Sequence, residues 1–470
     1  MDNKNENRYV IIIAVMTQFI AAFVGNMLTI ALKDIQHDLC MSITELNLLS
    51  IVYYIILISI SIPLSKFISN YGIKRYFKIN LVILAIGLVL SGLSVNSIMI
   101  ISSRIIQGFS FAGLAVSLYV MVVKQIPDDR LGPVLGMVSS AGYLAMTSAP
   151  AIAGVIVSFL NWRFLFYISA VLCLVPIFMT GKVKTEWIDK KTINYKGSIL
   201  YIFSMVLLVI GFFNLNMFWG LALIAVSQIL LVILVKYEKN QQNKTFNFTL
   251  LKNRNYTIGN IAAFASYYIT HVLTYIITLY LLYVVDIDAS IGGLILLITP
   301  IVMVITSPIA GQLTNRFDTR SLSAVAMTII LAVLIILIFI RTLPIELLIV
   351  AMILQGIGHG IFSPSNNKNV LTCVDDDDLA DTSAFLSTSK DMGRTISIGV
   401  FNTICMVVGL NMDNPSLVGD NMLTVSEITI FISIFVAVIS IVLLIYSKHA
   451  FEEKINLNIL NFLKTMVKRS

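Results

Sequence analysis

Charged residues are scarce in this chain of 470 residues, where they make up only 12% of the total. The mean hydropathy is +0.91 and 58% of the residues are hydrophobic, which excludes an ordinary water-soluble globular domain. Cysteine is also scarce, and the four cysteines do not have the spacing of metal ligands. We therefore expect no disulfide framework, no metal site and no cofactor.

Several functional motifs are absent as well. The sequence contains no phosphate-binding loop, metalloprotease motif or nucleophile elbow, so we expect neither an enzyme nor ATP-driven transport by the chain itself. The polar residues 1–8 precede an apolar run that is too long for a cleavable signal peptide. An acidic run from Asp375 to Asp378 is interpreted as solvated charge, because no spaced calcium loop surrounds it.

Long hydrophobic runs dominate what is present. Each has about 20 apolar residues, which at ~1.5 Å per residue is enough to cross ~30 Å of hydrocarbon. The fourteen runs are 9–32, 46–66, 77–98, 100–123, 132–158, 163–181, 196–215, 217–236, 257–284, 291–313, 321–341, 345–366, 381–408 and 425–447. The sequence therefore predicts an all-α polytopic membrane protein with fourteen transmembrane helices, embedded in a lipid bilayer.

The distribution of Lys and Arg predicts the orientation. Nearly all of the 32 basic residues are expected in residues 1–8, after runs 2, 4, 6, 8, 10 and 12, and after run 14. The opposite connections hold Lys33, Arg163 and Arg341, and Arg104 lies inside run 4. Because short basic loops stay in the cytoplasm, both termini are predicted to be cytoplasmic in a multi-pass protein of the cell membrane. The net charge of +7 reflects this bias, so no nucleic-acid partner is expected.

The longest polar connections bracket runs 7 and 8. They suggest a six-helix bundle in residues 1–181, a two-helix insert in 182–256 and a second six-helix bundle in 257–447. Pro, Asn and Arg recur at the same offsets after runs 2 and 10, in 63–75 and 308–320, as expected for repeated halves. Residues 448–470 have apolar side chains at helical spacing and are predicted to be an amphipathic cytoplasmic tail, with a frayed tail as the alternative.

Run 4 contains a charged residue within the predicted membrane. Arg104 and Gln107 are three residues apart, on one helix face, and Gly108 follows. A guanidinium in hydrocarbon costs about 2.5–3.5 kcal/mol or more, so Arg104 should face protein or water. These three residues are candidates for a substrate cavity or its coupling. The alternative is that Arg104 extends to the lipid headgroups at the outer surface.

Run 5 is rich in small residues and includes a proline. Gly142, Pro150 and Gly154 are candidates for a hinge, because small residues permit close helix approach and proline removes a helix hydrogen bond. Ordinary small-residue packing explains the same pattern, and it is compatible with a hinge.

Four further polar residues are placed inside predicted spans. Gln18 and Asn26 are eight apart, on one face of run 1, and are candidates to line a cavity; bonding to a neighbouring helix is the alternative. His271 in run 9 and His359 in run 12 are candidate proton carriers, because an imidazole titrates near neutral pH. Neutral histidines that pack and form hydrogen bonds are the competing interpretation.

Several segments together resemble the major facilitator superfamily. The segment from Arg104 to Gly108 is similar to its Arg-x-x-Gln-Gly motif, and Ala149 to Gly154 to its antiporter motif, with alanines replacing glycines. Residues 63–75 look like the loop motif after span 2. Residues 161–166, Asn-Trp-Arg-Phe-Leu-Phe, resemble a signature of the fourteen-span drug:proton antiporter family, which also has a two-helix insert.

The resemblance implies a secondary transporter, most simply a proton-coupled exporter of a small organic molecule or drug. It implies that spans 1–6 rock against spans 9–14, with a substrate cavity between them. It also implies a cytoplasmic gate, for which the candidates are Pro63, Gly72, Lys74, Arg75, Arg316 and Arg320. The proton is the expected coupling ion, and a monomer is expected.

The chain departs from the family in its acidic residues. We expect none in the middle third of a span, with Asp34 and Asp286 at outer ends and Asp391 near the cytoplasmic side. A membrane carboxylate usually carries the coupling proton, so its absence makes a transport-incompetent sensor of the same fold more credible. With Arg104 as a fixed positive charge, anionic, zwitterionic or neutral substrates are expected rather than cations. A membrane-embedded enzyme acting on a lipid-linked substrate is the remaining alternative.

Overall fold

The computed structural model describes residues 2–215, 217–241, 243–409 and 415–446, which form helices joined by short connections. Three 3₁₀ turns (Phe248–Lys252, Ile340–Thr342 and Asp376–Asp378) lie in the connections. The fifteen α-helices of these residues are α1 (Asp2–Asp38), α2 (Ile43–Tyr71), α3 (Ile73–Gly92), α4 (Ser97–Gln125), α5 (Asp128–Phe159), α6 (Trp162–Thr180), α7 (Tyr195–Phe213), α8 (Phe218–Lys239), α9 (Arg254–Tyr283), α10 (Ala289–Leu296), α11 (Ile298–Leu313), α12 (Thr319–Leu337), α13 (Ile345–Leu371), α14 (Leu379–Val408) and α15 (Pro415–Tyr446).

A helix occupies each of the fourteen predicted hydrophobic runs, with α10 and α11 sharing run 10. Within the described residues, twelve helical segments are long and apolar enough to cross a membrane by length and composition; α3 and α14 are the two long helices outside that set. The prediction of an all-α polytopic membrane protein is thereby confirmed. The number of crossings stays a prediction.

Polar residues at the helix ends explain where several helices begin. Ser42 and Glu45 form a reciprocal capping box at the start of α2, in which each side chain accepts from the other's backbone N–H. Asn96 caps α4 by accepting from the N–H of Met99, and Asn161 caps α6 in the same way. These caps satisfy N–H groups that would otherwise lack partners where the chain re-enters an apolar environment.

Large apolar side chains cover the outer surface of the helices. Phe178 is 72% exposed, Phe218 is 88% exposed and Phe435 is 68% exposed. An apolar surface of this extent is stable only against another apolar phase, here the hydrocarbon of the bilayer. The exposed residues therefore mark the lipid-facing surface.

The helices pack in several sets of neighbours. Among α1 to α6, the helix α1 packs against α5 and α6, and α4 packs against α2 and α3. Among the later helices, α9 packs against α14 and α15, and α13 packs against α11 and α12. The pair α7 and α8 pack on each other, and α7 also contacts α2 and α14. Extensive contacts between α5 and α11, and between α2 and α14, join the earlier helices to the later ones.

We call the side of the molecule where α2 ends and α14 begins the basic face, because most of the loop Lys and Arg residues lie there. The expected distribution counted Lys390 and Arg394 with the connections, and this was wrong. Both lie within α14, eleven and fifteen residues after its first residue, Leu379. The predicted tail of residues 448–470 lies outside the described residues.

Candidate functional site

A cavity of about 190 Å³ lies between the earlier and the later helices. Its walls come from α1, α2, α4 and α5 on one side and from α9, α13 and α14 on the other. A cavity lined by both groups of helices is the arrangement expected of a site that is exposed first to one side of a membrane and then to the other.

The charged part of the cavity wall comes from α14. Lys390, Asp391 and Arg394 all line the cavity, and Arg394 Nη1 donates a hydrogen bond of 2.9 Å to Asp391 Oδ1. The pair is spaced i,i+3, so both side chains project from one face of the helix. The carboxylate neutralises one cation, and the other cation leaves the three residues with one net positive charge when all are ionised.

Aromatic rings surround the two cations. The Nζ of Lys390 lies 5.1 Å from the ring centre of Tyr119 and 5.7 Å from that of Tyr267. The guanidinium carbon of Arg394 lies 4.7 Å from the centre of the same Tyr267 ring. Ring faces attract cations, which helps to hold both charges in a largely buried site.

The expectation that no carboxylate lies in the middle of a span is therefore wrong. Asp391 was assigned near the cytoplasmic side, whereas it is twelve residues into the 30-residue helix α14. At ~1.5 Å per residue it lies about 18 Å from the start of the helix. The sequence signal for Asp391 is the spacing Lys390-Asp391-x-x-Arg394 inside an apolar run. It resembles the Arg104-x-x-Gln107 spacing in run 4.

Arg104 does not reach the lipid headgroups, and it does not line the cavity. It is 2% exposed, its Nη1 donates to Gln107 Oε1 at 2.8 Å, and Gln107 in turn donates to Ser91 of α3. The guanidinium lies 5.1 Å from the ring centre of Tyr53, a residue of the cavity wall. Arg104 and Gln107 thus join α3 to α4 and support the cavity from behind.

Gly108 serves the contact between α4 and α2. A Cβ atom built on Gly108 would lie 3.0 Å from Ile56 and 3.2 Å from the carbonyl oxygen of Tyr53. A larger residue would push α2 away and displace Tyr53 in the wall.

Some of the candidate residues on α1 and α5 line the cavity and others do not. Gln18, Asn26 and Gly142 line the cavity, and the Nδ2 of Asn26 donates to Ala22 on its own helix. Pro150 lies inside α5, beyond the cavity wall. A Cβ atom on Gly154 would meet nothing within 4 Å, so close helix packing does not explain that glycine.

The two histidines have different environments. His271 lines the cavity and lies 5.4 Å from the Tyr275 ring. His359 is 2% exposed, and its Nδ1 lies within hydrogen-bond distance of the hydroxyls of Ser266 and Thr270. His359 therefore has the contacts of a packing histidine, whereas His271 can be reached from the cavity.

The candidates at the end of α2 hold a neighbouring loop. Gly72, with φ +98°, joins α2 to α3, and the backbone N–H groups of Lys74 and Arg75 donate to the carboxylate of Glu186. The Nζ of Lys74 donates to the carbonyl of Val183 in the same loop. A carboxylate at the N-terminus of a helix is favourable, so Glu186 fixes the connection between α6 and α7 against α3. Pro63 lies inside α2, before this junction in the chain.

Contacts across the two groups of helices lie closer to the basic face than the cavity does. Lys66 of α2 forms a buried ion pair with Asp381 of α14, and Ser65 donates to the same carboxylate at 2.6 Å. At a separate contact, a Cβ on Gly132 of α5 would lie 2.5 Å from the carbonyl oxygen of Gly311 of α11, so the two backbones touch. Sequence reasoning missed the ion pair, because its partners are 315 residues apart.

The two remaining gate candidates lie where α11 joins α12. Arg316 is exposed and Arg320 is buried at the start of α12. Between them, Asp318 caps α12 by accepting from the N–H of Ser321. The Nδ2 of Asn315 donates to the Asp129 carbonyl across the helix groups at 2.6 Å.

The sequence profile of the Major Facilitator Superfamily matches residues 14–397, and a second time residues 257–459. The chain belongs to the major facilitator superfamily. The suspected membership is thus confirmed, and with it a membrane transporter fold. The riboflavin transporter RibZ of Clostridioides difficile is 23% identical over 84% of this chain and 87% of its own length.

The names of two other relatives refer to multidrug resistance or efflux. The multidrug resistance protein Stp of Mycobacterium tuberculosis is 21% identical over 82% of this chain and 73% of its own length. The multidrug efflux pump SdrM of Staphylococcus aureus is 28% identical over 43% of this chain and 46% of its own length.

Two solved superfamily structures share the fold. The human organic anion transporter MFSD10 superposes with a TM-score of 0.67 at 9% identity, over 93% of this chain and 99% of the other. The proton:xylose symporter XylE superposes with a TM-score of 0.63 at 13% identity, over 93% of this chain and 95% of its own.

Proposed function

We propose that this protein is a proton-coupled secondary transporter of the cell membrane that exports a small organic molecule. The observation that carries the proposal is the position of Asp391, a carboxylate in the wall of a cavity between two groups of helices. The names of the relatives Stp and SdrM, a resistance protein and an efflux pump, support export as the direction.

Proton coupling follows from the chemistry of that carboxylate. Asp391 is the one acidic residue among the described residues that line the cavity. A proton and a hydrogen-bond donor of a substrate compete for its oxygens, so the site binds one of them at a time. Mutual exclusion at a single site is what exchange of substrate for protons requires. Asp391 also removes the argument for a transport-incompetent sensor, which rested on a missing carboxylate.

The contacts between the helix groups support alternating access. The halves would be residues 1–181 and 257–447, with the two-helix insert between them, and the fourteen helices would place the basic face and both termini in the cytoplasm. The Lys66–Asp381 ion pair and the close contact of Gly132 with Gly311 then close the cytoplasmic side. We assign the conformation as closed to the cytoplasm, with Pro150 and Gly154 as the hinge of α5.

The test is transport by the purified protein in proteoliposomes. A panel of small organic compounds is loaded into the vesicles, and counterflow and efflux are measured with and without an imposed pH gradient. We expect at least one compound to be exchanged, and its concentrative movement to depend on the gradient. Asp391→Asn should abolish gradient-driven movement and retain exchange between substrate pools at saturating substrate, because the amide oxygen still accepts a hydrogen bond but takes up no proton.

Asp128→Asn is the matched control, because Asp128 is an exposed acidic residue at the start of α5, away from the cavity. It should behave as wild type in both assays. Gradient-driven movement that survives in Asp391→Asn would assign the coupling to another residue. A panel that gives no exchange in any condition would refute transport.

A further inference from the structure

We propose that the cavity binds small aromatic zwitterions, whose amine contacts Asp391 and whose carboxylate contacts Lys390. The proposal rests on the proposed exchange of substrate for protons and names the substrate class for that site. Three properties of the cavity wall each fix one part of the ligand.

The first property is the aromatic lining. Six aromatic residues contribute to the wall: Tyr53, Tyr54, Phe111, Tyr119, Tyr143 and Tyr267. The rings of Tyr53 and Phe111 meet edge to face at 5.5 Å, and that geometry can extend to a further ring. A cavity of about 150 Å³ accepts benzene, so the 190 Å³ here has room for one substituted ring.

The second property is the carboxylate of Asp391. Arg394 donates to Oδ1 and Ser387 also hydrogen-bonds the carboxylate, whose two oxygens can still accept a further donor from the cavity that Asp391 lines. A substrate that exchanges for protons must bind the ionised carboxylate through a group that no longer binds once the carboxyl is protonated. An ammonium group meets this requirement, whereas a carboxylate beside Asp391 would favour protonation and so would bind together with the proton.

The third property is the position of Lys390. No hydrogen bond or ion pair of its ammonium group is found among the described residues, and its surroundings are the rings of Tyr119 and Tyr267. The carboxylate of Asp391 attracts this largely buried ammonium group but is paired with Arg394, and a substrate carboxylate would supply a direct partner. Because Lys390 and Asp391 both line this small cavity, one small ligand has to present both an amine and a carboxylate.

None of the other titratable or charged groups among the described residues that line the cavity around Asp391 is a second carboxylate that could bind the amine. On α14 they are Lys390 and Arg394. From the packed helices the remaining groups that line the cavity are Tyr53 and Tyr54 of α2, Tyr119 of α4, Tyr143 of α5, and Tyr267 and His271 of α9. Among these described groups Asp391 is the only carboxylate, so binding of the amine should compete with one proton.

Four probes with the same phenyl ring separate the ligand classes. They are L-phenylalanine as the zwitterion, hydrocinnamate as the anion, phenethylamine as the cation and hydrocinnamide as the neutral compound. Isothermal titration calorimetry on the purified full-length protein in nanodiscs measures each affinity without a gradient. We expect L-phenylalanine to bind about tenfold or more tightly than each of the others, the factor for one charge-assisted hydrogen bond.

Variants assign each charge of the ligand to a residue. Lys390→Met should reduce the affinity for L-phenylalanine to that for phenethylamine, and Lys390→Arg should retain the preference. Asp391→Asn should reduce the affinity for L-phenylalanine to that for hydrocinnamate. It should also make the affinity insensitive to acidification, whereas the wild-type affinity should fall once the pH is low enough to protonate Asp391. Lys252→Met, at an exposed lysine of a 3₁₀ turn, is the control and should leave all four affinities unchanged.

Equal or tighter binding of hydrocinnamate, phenethylamine or hydrocinnamide, or no measurable binding of all four, would overturn the proposal. The outcome is separable from the proposed function. Selective binding of L-phenylalanine without gradient-driven transport would refute the function and leave the ligand class intact. Gradient-driven efflux of another compound class without zwitterion selectivity would refute the ligand class alone.

Discussion

Nη1 of Arg394 donates a hydrogen bond of 2.9 Å to Oδ1 of Asp391, one helical turn earlier on α14. The side chain of Arg394 is 35% exposed and that of Asp391 7%, and both residues line the cavity, so a molecule in the cavity can contact either member of the pair. The pair is therefore a charged contact that a ligand or a proton can rearrange without separating the helices.

This geometry assigns different effects to two arginines. Arg104→Gln should lower the thermal stability of the purified protein by the equivalent of about 1.5–3 kcal/mol, because it removes the charged hydrogen bond to Gln107. It should reduce transport of anionic and neutral substrates by similar factors, because Arg104 lies behind the wall. Arg394→Gln should discriminate by substrate charge, since Arg394 faces the cavity.

Efflux of one anionic and one neutral substrate, measured for both variants at matched protein amounts, checks this difference. The sequence-based expectation was that Arg104 itself selects substrate charge. A much larger loss for the anionic substrate in Arg104→Gln would restore that expectation and contradict the assignment to Arg394.

The histidine variants test the rival proton carriers. His271→Gln should retain gradient-driven efflux, because the carboxylate of Asp391 remains in the wall. His359→Gln should also retain it but should lower the unfolding temperature, since the contacts with Ser266 and Thr270 are disturbed. Efflux in proteoliposomes and thermal unfolding in detergent measure the two effects. Loss of coupling with intact exchange in His271→Gln would move the proton to that residue.

Native cysteines test the orientation of the helices. Cys40 is exposed between α1 and α2, on the side opposite the basic face, so a membrane-impermeant maleimide should label it in intact cells. Cys40→Ala should remove that labelling. A cysteine introduced at the exposed Lys190, on the basic face, should be labelled only in inside-out vesicles. The reverse pattern would contradict the predicted cytoplasmic termini.

Cys373 provides an internal control for that experiment. It lies on the basic face after α13, and burial raises the pKa of its thiol to about 11. The reactive thiolate is therefore rare near neutral pH, so labelling should be slow even in inside-out vesicles and should accelerate as the pH is raised toward that value.

The hydrophobic runs predicted the helices well because each run must satisfy its backbone inside the helix itself. Contacts between residues far apart in the sequence could not be predicted, because they depend on how the helices pack against each other. Nothing local to Lys66 indicates that its partner is Asp381, and the pair exists only because α2 packs against α14. Arg104 shows an intermediate case: its burial was predicted from the cost of a charge in hydrocarbon, whereas its distance from the cavity depends on how α4 is rotated.

The error over Asp391 was one of depth. The predicted bounds of run 13, 381–408, already place Asp391 well inside the run, yet it was assigned near the cytoplasmic side together with the acidic residues 375–378. Polar residues lower the mean hydropathy of a span that faces a cavity, and sequence patterns then underestimate how deep such residues lie.

The last prediction concerns the ion pair that joins the two groups of helices near the basic face. Lys66→Met leaves the carboxylate of Asp381 buried, with the hydroxyl of Ser65 as its remaining hydrogen-bond donor among the described residues, and an uncompensated buried charge costs about 3–5 kcal/mol. We expect a clear fall in unfolding temperature for this variant. The double variant Lys66→Met/Asp381→Asn should recover much of it, because both charges are then gone.

A change in stability does not show whether the ion pair controls access to the cavity or only stabilises helix packing. The decisive measurement is therefore the rate at which a reagent reaches the cavity. Ala115 lines the cavity on α4, and a cysteine introduced there should be labelled slowly in inside-out vesicles while the ion pair holds α2 against α14. In the Lys66→Met/Asp381→Asn background the labelling should accelerate, because the helices separate more often toward the basic face. Lys252→Met, which removes an exposed lysine, should leave the rate unchanged. Equal labelling rates in all three proteins would mean that the pair stabilises the fold and does not control access.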